Sequence, residues 1–479
     1  MLRRVVNPDL KVDEKDAVVR IADASFPVPF AHRLEFNAPV HGTWNIVHIG
    51  MLVPECHQIY VCADNCMRGV VLTAAEMGAA DRFSSVLIEE NDIYDGSLEN
   101  ITIEGVSDVI RRLPYRPRAA AVFLVCLHHF VGTDTAYVYR TLEERFPDID
   151  FMRCWMDPVM QKTGLTPEQK LKESMFRPVR PLPVDPKLVC VLGDNMPLYP
   201  DSDIALAVKE AGGRVLQLHD WAEHAERIGI SSLIHSGTSH SDSQNAHMMI
   251  CKTYEDYLQI GAASLFITRS LTGIHGVTQL AKRLGRPVLY LPPAAGQEEI
   301  SREIEMLRRA LGENTAAAAT AETSAVEAEK ALAHAHELIG DTEITIDYIA
   351  NPRPLSLSRR LLESGFRVTR VYLDAILPEE EADFLWLQHN HPELELAATI
   401  HPKMRVLHEK ENAGNMLAIG PKAAWFGGTA HFVNLVEFGG MWGNSGIIKL
   451  AALMEDAYLH EKDTKAIVPR KGQGCACVF

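Results

Sequence analysis

The chain has 479 residues, which at about 150 residues per domain suggests roughly three domains. Hydrophobic residues make up 47% of it, which is enough to form cores and excludes a wholly disordered chain. With 63 acidic against 47 basic side chains, the net charge of −16 disfavours a nucleic-acid partner and favours small-molecule or protein partners.

From Pro117 onward, short apolar runs alternate with amphipathic helical segments. Strands are predicted at 119–125, 188–192, 214–218, 263–267 and 287–291, and then, after Asp341, at 344–349, 368–373, 394–400 and 416–419. Helices are predicted at 203–211 and 276–284, each closed by a glycine that suits a helix C-terminus. This alternation indicates βαβ units built around parallel sheets.

Two segments divide the chain. Residues 177–186 contain four prolines, which neither a helix nor a central strand tolerates, so they are predicted to form a linker. Residues 316–336 are rich in alanine and glutamate and predict a long connecting helix. We therefore expect domains at 1–180, 181–340 and 341–446. The segment 447–479 begins with a helix that could pack back on the first domain, and sequence alone does not place it.

Four cysteines form the densest cluster of reactive side chains. Cys56, Cys62 and Cys66 are close in sequence, and Cys126 directly follows the predicted strand 119–125. Ligands of open α/β sheets bind at the carboxyl ends of strands, and iron–sulfur clusters are held by thiolates. An iron–sulfur site is one interpretation. A zinc site using His57 or the His128–His129 pair, and buried cysteines without any metal, are the alternatives.

Three other segments are candidates for binding. The polar loop 236–243 carries His240, which can exchange protons near neutral pH. Arg269 follows the strand 263–267 and can pair with a carboxylate or orient a cluster. The glycines between 439 and 446, including Gly440, permit a bulky ligand to approach the backbone. A solvated loop, a surface salt bridge and a tight helix-entry turn are the corresponding structural alternatives.

Five segments resemble, in the same order, motifs of the nitrogenase component 1 family. They are 59–66, 126–134, 192–203, 268–272 together with 285–288, and 437–446. The resemblance implies three doubly wound, Rossmann-like α/β domains. It also implies an iron–sulfur cluster, of the [4Fe–4S] or P-cluster-like kind. Its ligands would be Cys66 and Cys126 first, then Cys62, then Cys56. The substrate or cofactor site would be formed by Arg269, Ser270, His240, Gly440 and Trp442.

The sequence departs from the family where the iron–molybdenum cofactor is anchored. Ile267 and Thr268 stand where the family has a cysteine, and Trp442 stands where it has a histidine. None of these side chains replaces a thiolate or imidazole ligand, so no iron–molybdenum cofactor is expected. The family's first cluster cysteine would fall near His41, where this chain has none. Cys56 or Cys62, His41 itself or a partner chain would then supply that ligand.

The sequence contains no Gly-Lys dipeptide and therefore no phosphate-binding P-loop. An ATPase resembling the nitrogenase iron protein would have to be a separate partner. A homologous or identical component 1-type subunit would be the second partner. We expect a subunit of a nitrogenase-like oxidoreductase. A scaffold for metallocluster assembly and a non-catalytic partner subunit are the alternatives.

The location follows from the cysteines and the apolar runs. Nine cysteines in a chain with no recognisable export signal favour the reducing cytoplasm. The apolar run 119–127 is far shorter than the about 20 residues that a membrane span needs, so no membrane association is expected.

Overall fold

The computed structural model describes residues 17–30, 46–76, 78–157, 164–219, 247–312, 318–399 and 414–463. Three sheets organise these residues, and helices connect successive strands. The predicted α/β fold class with parallel, Rossmann-like sheets is confirmed. No helix in the described ranges is long and apolar enough to cross a membrane.

The first sheet has four parallel strands in the spatial order β3-β2-β4-β5. Its strands are β2 (Cys56–Cys62), β3 (Phe83–Leu87), β4 (Ala119–Val125) and β5 (Asp150–Met156). The helices of this part are α1 (Ile46–Met51), α2 (Asp64–Glu76), α3 (Glu90–Tyr94), α4 (Leu98–Arg112), α5 (Cys126–Phe130), α6 (Thr135–Arg145) and α7 (Pro167–Met175).

The two central strands of this sheet are buried along their whole length. β4 is apolar throughout, as expected for a strand covered on both faces. β2 also buries His57 and Gln58, and both find hydrogen-bond partners. His57 pairs with Tyr115 and Ser84, and Gln58 donates to the backbone carbonyl of residue 47. These satisfied polar residues explain why β2 has no clear apolar pattern in the sequence.

The second sheet has five parallel strands in the order β10-β9-β6-β7-β8. They are β6 (Asp185–Val191), β7 (Arg214–Gln217), β8 (Met248–Ile250), β9 (Ala263–Thr268) and β10 (Val288–Tyr290). The helices are α8 (Asp203–Glu210), α9 (Tyr254–Leu258), α10 (Leu271–Leu284) and α11 (Gln297–Ala310). The predicted linker leads directly into β6.

The third sheet has six strands in the order β1-β13-β12-β11-β14-β15. They are β1 (Val18–Arg20), β11 (Glu343–Asp347), β12 (Arg367–Tyr372), β13 (Glu395–Ala397), β14 (Met416–Ile419) and β15 (Phe432–Val433). The helices are α12 (Ala318–Ile339), α13 (Pro354–Glu363), α14 (Glu381–Asn390), α15 (Pro421–Gly427) and α16 (Gly443–Leu459).

The two ends of the chain differ from the predicted assignment. β1 pairs antiparallel with β13, so the described residues at the N-terminus join the third sheet and not the first. α16 packs chiefly along α12, with further contacts to α8, β14 and β15, so its main partners lie outside residues 1–180. The apolar side of α16, including Ile447 and Leu450, is buried in the core that the second and third sheets share. The boundaries near 180 and 340 stay predictions.

Candidate functional site

Three of the predicted cluster cysteines lie at one edge of the first sheet. Cys62 ends β2, and Cys126 begins α5 immediately after β4. Because Val61 pairs with Leu124 in the parallel register, Cys62 and Cys126 come to the same carboxyl edge. Cys66 lies in the first turn of α2, just beyond β2. We call Cys62, Cys66 and Cys126 the cysteine edge.

The thiols of the cysteine edge differ in accessibility. Cys66 is exposed, Cys126 is half-buried and Cys62 is buried. Burial, with smaller contributions from the charges of Cys66 and Asp64, raises the pKa of Cys62 to about 12. Burial also raises the pKa of Cys126, with added contributions from Asp157 and Cys66. Cys66 is therefore close enough to act electrostatically on both other thiols. Metal binding at Cys62 and Cys126 would release protons.

The cysteine edge offers thiol donors of the kind that an iron–sulfur cluster binds, without forming a metal site by itself. Within the described ranges, no group of three or more His, Cys, Asp or Glu side chains is placed to hold a metal ion. Cubane clusters take four thiolates. Cys66 and Cys126 are accessible thiols and Cys62 is a buried one. Thiols are the donors that such a cluster needs, but three of them do not complete its coordination. The residues present therefore fit a cluster whose remaining ligands come from elsewhere.

A cleft opens between the second and third sheets, at the carboxyl ends of β6, β9 and β11. Its empty space is about 820 Å³ with the open mouth included, and the centres of water molecules can occupy about 80 Å³ of it. That volume has room for several waters. The polar side chains that line it include Glu168, Asp194, Asn195, Arg269, Ser270, Thr272, Arg353 and Glu437.

A buried hydrogen-bond network forms the polar wall of the cleft. Glu168 and Lys172 form an ion pair of 2.8 Å and are each 1% exposed. The hydroxyl of Thr272 donates to Glu168 and accepts from Lys172, both at 2.7 Å. The amide of Asn195 donates to Glu168 at 3.1 Å and to Glu437 at 2.9 Å. Such a connected network fixes the positions of its charged groups.

Glu437 reaches the cleft through a backbone in the left-handed region. The φ angles are +42° at Glu437, +58° at Phe438, +58° at Gly439 and +75° at Gly440. Each non-glycine residue in this region costs about 1–2 kcal/mol. The amides of Glu437 and Phe438 donate to the carbonyls of residues 349 and 350, both at 2.7 Å, and hold the turn on the third sheet.

The pKa of the Glu437 carboxyl group is raised toward neutral pH. Burial raises its pKa to about 6, against the lowering effects of the Lys172 charge and the Asn195 hydrogen bond. Burial also raises the pKa of the neighbouring Asp194, whose backbone-bonded partner is Arg269. A carboxyl group that titrates near pH 6 beside a cleft can act as an acid or a base near neutral pH. From the sequence alone, Glu437 is recognisable only as the first residue of the glycine-rich segment 437–446.

A model of the family described as nitrogenase component 1 type oxidoreductase matches residues 49–417 of the chain. The chain belongs to this family. Two solved structures, titled "Nitrogenase Cp1 at pH 6.5" and "Nitrogenase Cp1 at pH 5", are similar to it with TM-scores of 0.60 and 0.55. They are 13% and 11% identical, cover 89% and 93% of this chain and are each covered over 94% of their own length. No curated protein matches the chain.

Cys56, predicted as the fourth ligand of this nitrogenase component 1 type protein, lies at the opposite end of β2. β2 is seven residues long, so its two ends are about 20 Å apart and Cys56 cannot join the cysteine edge. It is buried, its thiol donates to the carbonyl of His57, and burial raises its pKa to about 12. The prediction that Cys56 accompanies the other three is wrong because β2 is a strand and not a loop.

The histidines of the zinc alternative have other partners. His57 lies beside Cys56, and burial lowers its pKa to about 4. His128 is buried, accepts from the Val125 amide at 3.2 Å, and burial lowers its pKa to about 4. His129 bonds to buried Asp157 and stacks on Trp155 with ring centroids 3.9 Å apart. His41 and His240, including the loop 236–243, lie outside the described residues.

The predicted substrate-binding residues divide into two groups. Arg269 and Ser270 line the cleft. The guanidinium of Arg269 donates to the carbonyls of Met196 and Gly440, both at 2.7 Å, so it positions the glycine-rich loop. Gly440 and Trp442 are not among the described residues that line the cleft. Trp442 is 1% exposed, and its indole donates to the carbonyl of Pro292.

The residues predicted to stand at the family's cofactor-anchoring positions lie in the core. Ile267 and Thr268 end β9 and are both 0% exposed. Trp442, at the position of the family histidine, is packed in the core beside Ile447 and Met441. These side chains fill space between the elements, and none of them offers an imidazole or a thiolate to the cleft.

Gly440→Ala is expected to destabilise the protein by more than about 1–2 kcal/mol. Its φ is +75°, and a Cβ there would lie 1.8 Å from the carbonyl oxygen of Pro197. Gly285→Ala is the matched control, because Gly285 has a φ of +66° but open space at the Cβ position. Thermal unfolding of both variants isolates the clash from the backbone strain. Equal losses of thermal midpoint would contradict a tight contact between Gly440 and Pro197.

Proposed function

We propose that this chain is one subunit of a nitrogenase-like iron–sulfur reductase. An iron–sulfur cluster at the cysteine edge would supply one-electron transfer. The electrons would reach a substrate reduced in the cleft between the second and third sheets. The observation that carries the proposal is the meeting of Cys62, Cys66 and Cys126 at one sheet edge, with Cys66 exposed and Cys126 half-buried.

A second subunit would complete the cluster. The cysteine edge supplies at most three thiolates, and Cys56 is too far away to be the fourth. Because Cys66 is exposed, a ligand from another chain can approach the same cluster. A homologous or identical component 1-type subunit is the partner that the family supports.

Electron delivery would need a third component. The sequence has no P-loop with which to couple nucleotide hydrolysis to electron transfer. A separate ATPase resembling the nitrogenase iron protein would dock near the cysteine edge, because electron tunnelling falls off steeply with distance.

The residues of the cleft would handle protons. Reduction of a substrate by two electrons consumes two protons, which a positioned acid can deliver. Glu437 would donate a proton to the substrate and recover it from solvent through the open mouth of the cleft. Asn195 orients the Glu437 carboxyl group, and the Lys172–Glu168 pair sets its electrostatic surroundings. Arg269 is a positioning residue, because it acts by holding the glycine-rich loop.

A scaffold for metallocluster assembly is the second candidate. The exposure of Cys66 favours it, since an accessible ligand can hand a cluster on. Iron that a mild chelator removes within minutes would support the scaffold, whereas iron that resists the chelator and changes oxidation state would support the reductase. A non-catalytic partner subunit would bind no iron of its own.

Elemental analysis tests the proposed metal content. The protein purified anaerobically with its partner subunit is expected to contain iron and sulfide but no stoichiometric molybdenum, because Ile267, Thr268 and Trp442, the residues predicted at the cofactor-anchoring positions, are buried and offer no thiolate or imidazole. The same preparation is expected not to reduce dinitrogen. Molybdenum at one atom per chain would contradict the absence of the cofactor, and a complete lack of iron would contradict the reductase.

A further inference from the structure

A second cleft lies between β5, α7 and α10. Its empty space is about 1020 Å³ with the open mouth included. Four cationic side chains line it: Arg153, Lys170, Arg177 and Arg283. Trp155, Phe176 and Leu280 supply apolar surface between them. We call this the basic cleft.

The carboxylates near the basic cleft neutralise only part of its charge. Glu173 accepts from Lys170 at 2.9 Å. Glu143 is shared between Arg153 at 3.5 Å and Arg177 at 3.2 Å. Four cations therefore face two carboxylates, in a chain whose net charge is −16.

Among the four cationic side chains of the basic cleft, Arg283 is the one without a carboxylate partner in the described ranges. Its guanidinium donates to the backbone carbonyls of Phe176 at 2.5 Å and Arg177 at 3.0 Å, and no carboxylate in the described ranges pairs with it. Burial and the nearby charges of Arg180 and Arg177 lower its pKa. Cations held together in this way repel each other, and a bound anion relieves that repulsion.

We propose that the basic cleft binds a small organic polyanion, a molecule with several carboxylate or phosphate groups. The concave shape favours a small molecule over a flat protein surface, and a cavity volume of about 470 Å³ lies within the about 300–1,000 Å³ that ligand pockets typically span. Guanidinium groups bind carboxylate and phosphate oxygens through paired hydrogen bonds. The apolar walls at Trp155 and Leu280 would contact the carbon skeleton. This site is separate from the cysteine edge and from the cleft of the proposed reductase.

Isothermal titration calorimetry of the full chain tests the proposal, with citrate, pyrophosphate and ATP as probes and sodium chloride at matched ionic strength as the reference. We expect at least one probe to bind with a heat that chloride does not give. Binding of citrate alone identifies a carboxylate site, and binding of pyrophosphate or ATP identifies a phosphate site. The double variant Arg177→Gln/Arg283→Gln should weaken that binding about tenfold or more, because it removes two guanidinium groups that donate charge-assisted hydrogen bonds to the anion.

Arg286→Gln is the matched control, because Arg286 also donates to backbone carbonyls near the end of α10 but does not line the basic cleft. It should leave the affinity unchanged. Lys170→Gln, which loses only a partly exposed ion pair, is the second test variant and should also weaken binding. Equal weakening by Arg286→Gln, or no binding of any probe beyond the chloride reference, would overturn the proposal. The calorimetric measurement depends neither on bound iron nor on turnover, so its outcome is independent of the proposed reductase function.

Discussion

Cys66→Ala and Cys126→Ala are each expected to remove most of the bound iron from the anaerobically purified protein. The two thiols are the accessible members of the cysteine edge, at the ends of α2 and β4. Their side chains contribute little to the core, so the fold should be kept. Iron and sulfide analysis, visible absorption and circular dichroism of each variant measure both effects.

Two buried cysteines provide the controls for this experiment. The control variants are Cys190→Ala and Cys56→Ala. Cys190 lies within β6 of the second sheet, and Cys56 lies at the end of β2 that is remote from the cysteine edge. Both residues are at most 1% exposed, so their replacement should cost stability but leave the iron content unchanged. Iron content in Cys126→Ala equal to that of the wild type would show that the cluster, if present, is held elsewhere.

Glu437→Gln is expected to lower turnover of the reconstituted reductase by about a hundredfold, because a glutamine cannot donate a proton. Wild-type turnover should fall as the pH rises through about 6, where the Glu437 carboxyl loses its proton. The variant should lack this part of the pH profile. An unchanged rate and an unchanged pH profile would remove Glu437 from the mechanism.

The same variant is expected to be more stable than the wild type at pH 7.5. The pKa of Glu437 in the folded protein is raised, so the fold favours its neutral form. This contribution to stability is complete below the ordinary pKa of a carboxyl group and is lost as the pH rises through about 6. Glutamine stays neutral, so the gain at pH 7.5 should be about 1–2 kcal/mol and should vanish near pH 4.5.

Glu303→Gln is the control for both effects. Glu303 is buried on α11, and burial raises its pKa to about 8. Its replacement should also stabilise the protein at pH 7.5, but turnover should not change, because Glu303 does not line the cleft. A gain in stability together with a loss of activity, seen only in Glu437→Gln, marks a strained functional residue.

Most strands of the second and third sheets could be predicted from the sequence because they are short apolar runs between helices, but β1, β8 and β15, with only two or three residues each, could not. The start of α10 was missed, since Leu271–His275 contains Thr272 and Gly273 and shows little apolar periodicity. β2 was missed for a similar reason, because polar residues are buried within it. Without β2, Cys56 was grouped with the other cysteines by its closeness in sequence, whereas the strand holds it about 20 Å from Cys62.

The cysteine edge could be predicted in part, but the cleft network could not. Cys126 was recognisable because it follows an apolar strand, and Cys62 and Cys66 are close to each other in sequence. Glu168 and Lys172 are four residues apart on α7, a spacing typical of exposed helix pairs, yet both are buried. Glu437 reaches the cleft only because four successive residues adopt positive φ angles. Gly439 and Gly440 indicate a turn in the sequence, but the positive φ angles of Glu437 and Phe438 have no such signal in their residue types.

Electron paramagnetic resonance of the purified protein with its iron-protein-like partner tests the central claim most directly. The chain and its component 1-type partner subunit are mixed anaerobically with the reduced ATPase, with and without ATP, and the cluster signal is followed. We predict negligible ATP hydrolysis by the isolated protein, and a change in the cluster signal that requires both the ATPase and ATP and is absent in Cys126→Ala. Full reduction and turnover with a simple ferredoxin and no nucleotide would contradict the account.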